Sequence, residues 1–149
     1  MKKFIAISLI VLLSFSVSIN TFAKTLENLP VTVSSNQWKV EIAEPDNDDP
    51  QSNKSDKPDL YNLYSLDINN IGKDNVELVR VEAYRDHPGS TSEYELFTES
   101  IKTAEPMFHH SNFPLFTKAT RLKVIVTWID KNDNSVHKRK FREEFIFEL

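Results

Sequence analysis

The chain predicts an all-β fold, an antiparallel two-sheet sandwich, and three observations carry that reading. Thr120 to Asp130, T-R-L-K-V-I-V-T-W-I-D, alternates strictly, with Leu122, Val124, Val126 and Trp128 on one side and Arg121, Lys123, Ile125, Thr127 and Ile129 on the other. Its β-branched residues suit a pleated surface, and an apolar face of this kind needs a second sheet to cover it. Turn chemistry at Lys131 to Asn134 is followed by Phe141, Phe145 and Phe147 at even spacing, so the two runs form a closing hairpin. Six or seven such short runs, separated by turn signals, fill the chain after its first residues, and no helical period appears among them.

The N-terminus is organised differently. Met1-Lys2-Lys3 precedes an apolar core, and Thr21-Phe22-Ala23 offers small residues where a signal peptidase cuts. Residues 1–23 are therefore expected to be a secretory signal removed after Ala23. The serines that break the apolar run leave it short of the ~20 residues a spanning helix needs, so no stable membrane insertion is expected after cleavage. The chain contains no cysteine, which excludes a lipid anchor on cysteine as well as any disulfide. The expected location is outside the cytoplasm, secreted or in the cell envelope, and periplasmic where an outer membrane exists.

Residues 24–149 then form one expected domain of 126 residues, large enough to bury a core without staples. Removing Lys2 and Lys3 takes the formal charge from −4 to −6. An acidic exported domain lacks the basic field that nucleic acid requires, so no nucleic-acid partner is expected. Gly72 and Gly89 are the only glycines, so no phosphate-cradling loop or dinucleotide fingerprint is present, and no cofactor is expected.

In chain order, Leu26 to Ser34 reads as a short edge strand interrupted by Pro30, and Gln37 to Glu44 alternates with Trp38, Val40 and Ile42 on one side. Residues 45–58 are rich in turn formers, with no apolar residue besides proline, and are expected to be a flexible surface loop. Leu60 to Ile71 places Tyr64, Leu66 and Ile68 in register, and the following turn puts Gly72 where a positive φ is expected. Val76 to Arg85 reads with Val79, Val81 and Ala83 inward and Leu78, Arg80, Glu82 and Tyr84 on a mixed, wetter face. Asp86 to Ser90 is a turn, and Glu93 to Lys102 is a strand of less regular period. Residues 103–118, with Pro106 and Pro114 between aromatics, are expected to be an irregular crossover loop between the sheets.

The succession W-K-V-E-I-A-E from Trp38, L-Y-S-L-D-I-N-N-I-G from Leu63, V-E-L-V-R-V-E-A-Y from Val76, and L-K-V-I-V-T-W-I-D-K-N-D-N with F-x-x-x-F-x-F resembles the Ig-like domains of small exported bacterial proteins. The resemblance implies an Ig-like β-sandwich. The two inter-sheet cysteines of antibody domains are missing, with Leu66 or Ile68 and Val124 or Val126 in comparable positions, and no tyrosine-corner motif is found. The resemblance implies no particular function.

Chemistry-bearing residues are few. His87, His109, His110 and His137 lack the spacing of a metal site, since adjacent residues of a strand point to opposite sides. Asp46, Asp48 and Asp49 are interrupted by Pro50, and Asp130, Asn132 and Asn134 lack the turn glycine and closing glutamate of a calcium loop, so no metal site is assigned. No nucleophile elbow exists, and paired acids such as Glu93 with Glu95 or Glu143 with Glu144 suit strand solubility as well as catalysis, so no catalytic residue is assigned. Two surfaces remain as binding candidates. Phe108, His109, His110, Phe113 and Phe116 belong to the 103–118 crossover, where they either form a recognition loop or plug the core. Lys138, Lys140 and Arg142 share one face of an expected strand, either as an anionic docking patch or as the lysine-rich guard of a sheet edge, the reading the acidic chain favours.

The expected function is an exported, non-catalytic module that binds a protein or a cell-surface component such as the wall. The alternatives are a secreted hydrolase or metal-dependent enzyme, and an extracellular inhibitor acting through the 103–118 loop.

Overall fold

In a computed structural model the described residues are 26, 28–45, 55–103 and 105–149. The expected signal at 1–23, most of the 45–58 loop, and Asp46, Asp48 and Asp49 lie outside them. Among the described residues there are eight strands: β1 (Val31–Ser34), β2 (Trp38–Ala43), β3 (Tyr61–Asn70), β4 (Val76–Asp86), β5 (Glu93–Ser100), β6 (Met107–Phe116), β7 (Arg121–Asp130) and β8 (Lys140–Glu148). They form two antiparallel sheets, ordered β1-β2-β3-β6 and β5-β4-β7-β8.

The chain meanders through β1, β2 and β3, then crosses to β4 and turns back as β5. It crosses again to place β6 beside β3 and β7 beside β4, and closes with the β7–β8 hairpin. The sheets face each other so that β1 lies near β8 at one edge and β6 near β5 at the other. Between them Trp38, Val40, Ile42, Leu66, Ile68, Val81, Val124 and Val126 are fully buried, each side chain of this size contributing about 1.5–3 kcal/mol. Trp38 of one sheet meets Trp128 of the other edge to face, with centroids 5.8 Å apart. This aromatic pair crosses the core of a sandwich that has no disulfide.

Three expectations need correction. Residues 107–116 are strand, not crossover loop: β6 is an edge, so Pro114, opposite Leu63, needs no ladder partner on its outer side. Leu78 points inward and is fully buried, while Val79 is only partly buried. The cause is a bulge: Leu78 pairs with Trp128 but Arg80 with Thr127, so Val79 is an extra residue that shifts the parity of the strand. The Val79 carbonyl accepts the Ile101 amide at 2.9 Å instead. Gly72 does not have the positive φ expected of it; only Gly89 does, at 77°. Gly72 is required for space, because a Cβ there would lie 2.6 Å from the Asn36 carbonyl oxygen. Ile125 lies on the outer face of β7, as its parity requires, yet is only 1% exposed, with Glu82 and Glu144 its cross-strand neighbours in register.

Candidate functional site

Two of the four edge strands, β5 and β6, come together at one edge of the sandwich, and the aromatic residues of the 103–118 segment are divided by the seam they make. β6 alternates Phe108 and His110 inward, then slips: Tyr64 pairs with Phe113 but Leu66 with His110, so Ser111 and Asn112 both stand opposite Ser65. Phe113 and Leu115 resume the inward face. Phe108 and Phe113 are thus core residues. Phe116 is partly buried, tilted against Tyr61 at 5.9 Å.

His110 closes the middle of the seam. Its ring stacks on Phe97 of β5 at 4.4 Å and meets Phe113 edge to face at 6.1 Å. Its Nε2 lies 3.5 Å from Glu99 Oε1, and its buried Nδ1 has no partner among the described residues. A neutral ring with Nε2 protonated toward Glu99 leaves only a lone pair at Nδ1. Burial lowers the pKa of His110 and neighbouring His109 lowers it further, against the opposing pull of Glu99. A folded-state pKa below the ordinary 6.5 means that the unfolded chain takes up the proton first. The stability contributed by the neutral ring is therefore complete above pH 6.5 and is lost as the pH falls below it. Melting curves from pH 7.5 to 5.5 should fall more steeply for the native chain than for His110→Gln; parallel curves would contradict this assignment.

His109 points outward and pairs with Asp67 at 2.9 Å. This pair lines the smaller of two grooves flanking the seam, about 510 Å³, with Glu99, Ser100 and Met107. The larger groove, about 630 Å³, lies beyond the other end of the aromatic cluster and is lined by Tyr61, Leu63 and Pro114 of the first sheet and by Arg85, Tyr94 and Glu95 of the second. Arg85 is held 4.7 Å above the Tyr94 ring and 5.0 Å from that of Phe116, and Nη1 donates to the Asp86 carbonyl at 3.0 Å. His87 meets Tyr94 edge to face at 5.3 Å.

The basic cluster lies at the far edge. β8 begins at Lys140, so Lys138 precedes the strand and does not share a face with Lys140 and Arg142. Lys140 and Arg142 stand on the outer face of the edge strand, opposite Ile129 and Thr127, and Arg142 pairs with Glu144 at 3.0 Å. The β7–β8 loop spends its acids on its own backbone. Asp133 accepts the amides of Arg139 and Ser135 at 2.9 Å each, and these bonds, Arg139 first, hold its pKa down to about 2. Asp130 accepts the Asn132 amide. Among the described residues no group of three histidines or acids is placed to hold a metal ion.

Sequence reasoning found Phe116, His109 and His110 but missed Tyr61, Arg85 and Tyr94, which become neighbours only through the β3–β6 and β4–β5 registers. No solved structure matches the chain. It is 29% identical to a protein of Bacillus subtilis (strain 168) described as "Uncharacterized protein YozF", over 84% of this chain and 82% of that one. The model of the YozF-like secreted proteins matches residues 22–149. With the whole of the expected domain covered, the chain belongs to the family of YozF-like secreted proteins.

Proposed function

We propose that this secreted protein is a non-catalytic module that binds a protein or cell-surface component through the β5–β6 seam. The supporting observation is that both grooves described above open along that seam, beside two strands whose outer backbone groups have no sheet partner. An Ig-like arrangement is part of the proposal. The order β2-β3-β6 facing β5-β4-β7-β8 corresponds to strands A-B-E facing C′-C-F-G, with β1 added at the edge. The 107–116 strand removes the protruding loop on which an inhibitor reading relied.

The test is sedimentation of residues 24–149 with purified cell-envelope material. Retention should be lost in the Tyr94→Ala, Met107→Lys double variant, whose sites are exposed enough to spare the fold. It should survive the change of Lys138, Lys140 and Arg142 to glutamine, which instead should increase aggregation on refolding because an open edge loses its charges. Retention abolished by the glutamine variant alone would move the contact face to β8.

One observation favours a hydrolase as the second reading: His109 and Asp67 form an acid–base pair in the smaller groove, with Ser100 also lining it. Release of soluble fragments from the same envelope material, abolished by His109→Ala, would establish it.

A further inference from the structure

The guanidinium of Arg85 is a charge without a counter-charge. It is only partly exposed, lies between the rings of Tyr94 and Phe116, and gives one of its five N–H donors to the Asp86 carbonyl. No carboxylate among the described residues pairs with it, because the acids beside it on β4 and β5 are taken or turned away. Asp86 accepts the amides of Thr120 and Arg121 and the Thr120 hydroxyl. Glu93 is held by Arg121 and Lys123. Glu95 stands opposite Tyr84 and acts on it on the outer face of the second sheet. Asp56 and Lys57, both exposed where they line the larger groove, carry one charge of each sign. A partly buried cation left in this state favours an anionic ligand.

The groove that Arg85 lines suits one kind of anion. Its apolar lining is Leu63, Leu96 and Pro114 beside Tyr61 and Tyr94. Leu96 is an extra residue in β5, since Tyr84 pairs with Glu95 but Ala83 with Phe97. The groove lies beside the open edges of β5 and β6, so an extended chain entering it would meet backbone groups that have no sheet partner. One planar guanidinium fork matches one carboxylate and falls short of the charge of a phosphate. A polyanion would also be repelled by the chain's net charge of −4. We propose that the larger groove binds the C-terminus of an extracellular peptide, with Arg85 on the terminal carboxylate, Tyr94 beside it, and the last side chain against Leu63, Leu96 and Pro114. The proposal rests on the seam as the binding face and names the ligand of its larger groove.

The test adds short peptides to residues 24–149 and follows amide chemical shifts and the heat of binding. The probes are acetylated tetrapeptides, three alanines followed by alanine, leucine or phenylalanine, each made as the free acid and as the C-terminal amide. At least one acid should bind saturably at millimolar concentration or below, shifting amides of β5 and of residues 112–116, and its amide should bind about tenfold or more weaker. Arg85→Gln should abolish the difference between acid and amide, and Arg85→Lys should keep part of it, with melting temperatures confirming that both variants fold. The comparison of acid with amide uses the native chain, so it decides the assignment even where a variant does not fold. Equal binding of the two would overturn the carboxylate contact. If no peptide binds at millimolar concentration while sedimentation with envelope material persists, the ligand class is wrong and the seam reading stands. Failure of sedimentation as well removes both. Saturable binding of polyglycerol phosphate that is lost in Tyr94→Ala would also overturn the assignment to a peptide terminus.

Discussion

Trp38→Ala should cost about 3–5 kcal/mol, a large share of the ~5–15 kcal/mol that holds a domain of this size folded. The indole is fully buried in the first sheet and stands edge to face against Trp128 of the second. Its removal leaves a cavity between two rigid sheets that have no disulfide to hold them together. Trp128→Ala should be of similar size, and the double variant should cost less than the sum because the two rings share one contact. Ile129→Thr on the outer face of β7 should stay within about 1 kcal/mol. Urea midpoints of the four chains measure all of this. Additive single effects would contradict the pair, and small equal effects at Trp128 and Ile129 would contradict the register.

The second large effect concerns the bulge in β4. Leu78→Ala should cost about 2–5 kcal/mol, because this side chain is fully buried opposite Trp128. Val79→Ala should cost about 1 kcal/mol or less, because the extra residue stands between the two faces. Strict alternation requires the reverse order. The same urea midpoints decide between them.

What the sequence made legible and what it concealed differ for physical reasons. The β2 and β7 strands keep an unbroken period of two, so Trp38, Val40, Ile42, Val124 and Val126 could be placed in the core from spacing alone. Bulges defeat that logic. One extra residue at Val79 exchanged the assignments of Leu78 and Val79, and the slip at Ser111–Asn112 hid a strand behind a sequence that already contained two prolines. The prolines themselves look like a break because edge position cannot be known before the sheet order. Lys138 falls before the strand although it continues the alternation of Lys140 and Arg142, since nothing in H-K-R-K-F-R marks where pairing with β7 begins. The groove was the least legible feature. Its residues come from four strands, and a signal existed only in the aromatic and basic residues at strand ends, Tyr61, Arg85, Tyr94 and Phe116, which the register gathers.

His110 links the stability of the seam to its use. A ring kept neutral by burial among Phe97, Phe108 and Phe113 fills the middle of the seam, between the two grooves, and its protonation would place a charge where the two edge strands pack. Binding along the seam should therefore weaken on acidification over the same range below pH 6.5 in which stability falls.

Hydrogen exchange of residues 24–149 with and without envelope material tests the assignment of the contact face most directly, because it reports amides along every strand at once. The seam reading predicts slower exchange in β5 and β6, residues 93–100 and 107–116, with the β7–β8 loop and β8 unchanged. Protection confined to residues 131–148, or protection nowhere in a chain that still sediments, would contradict it.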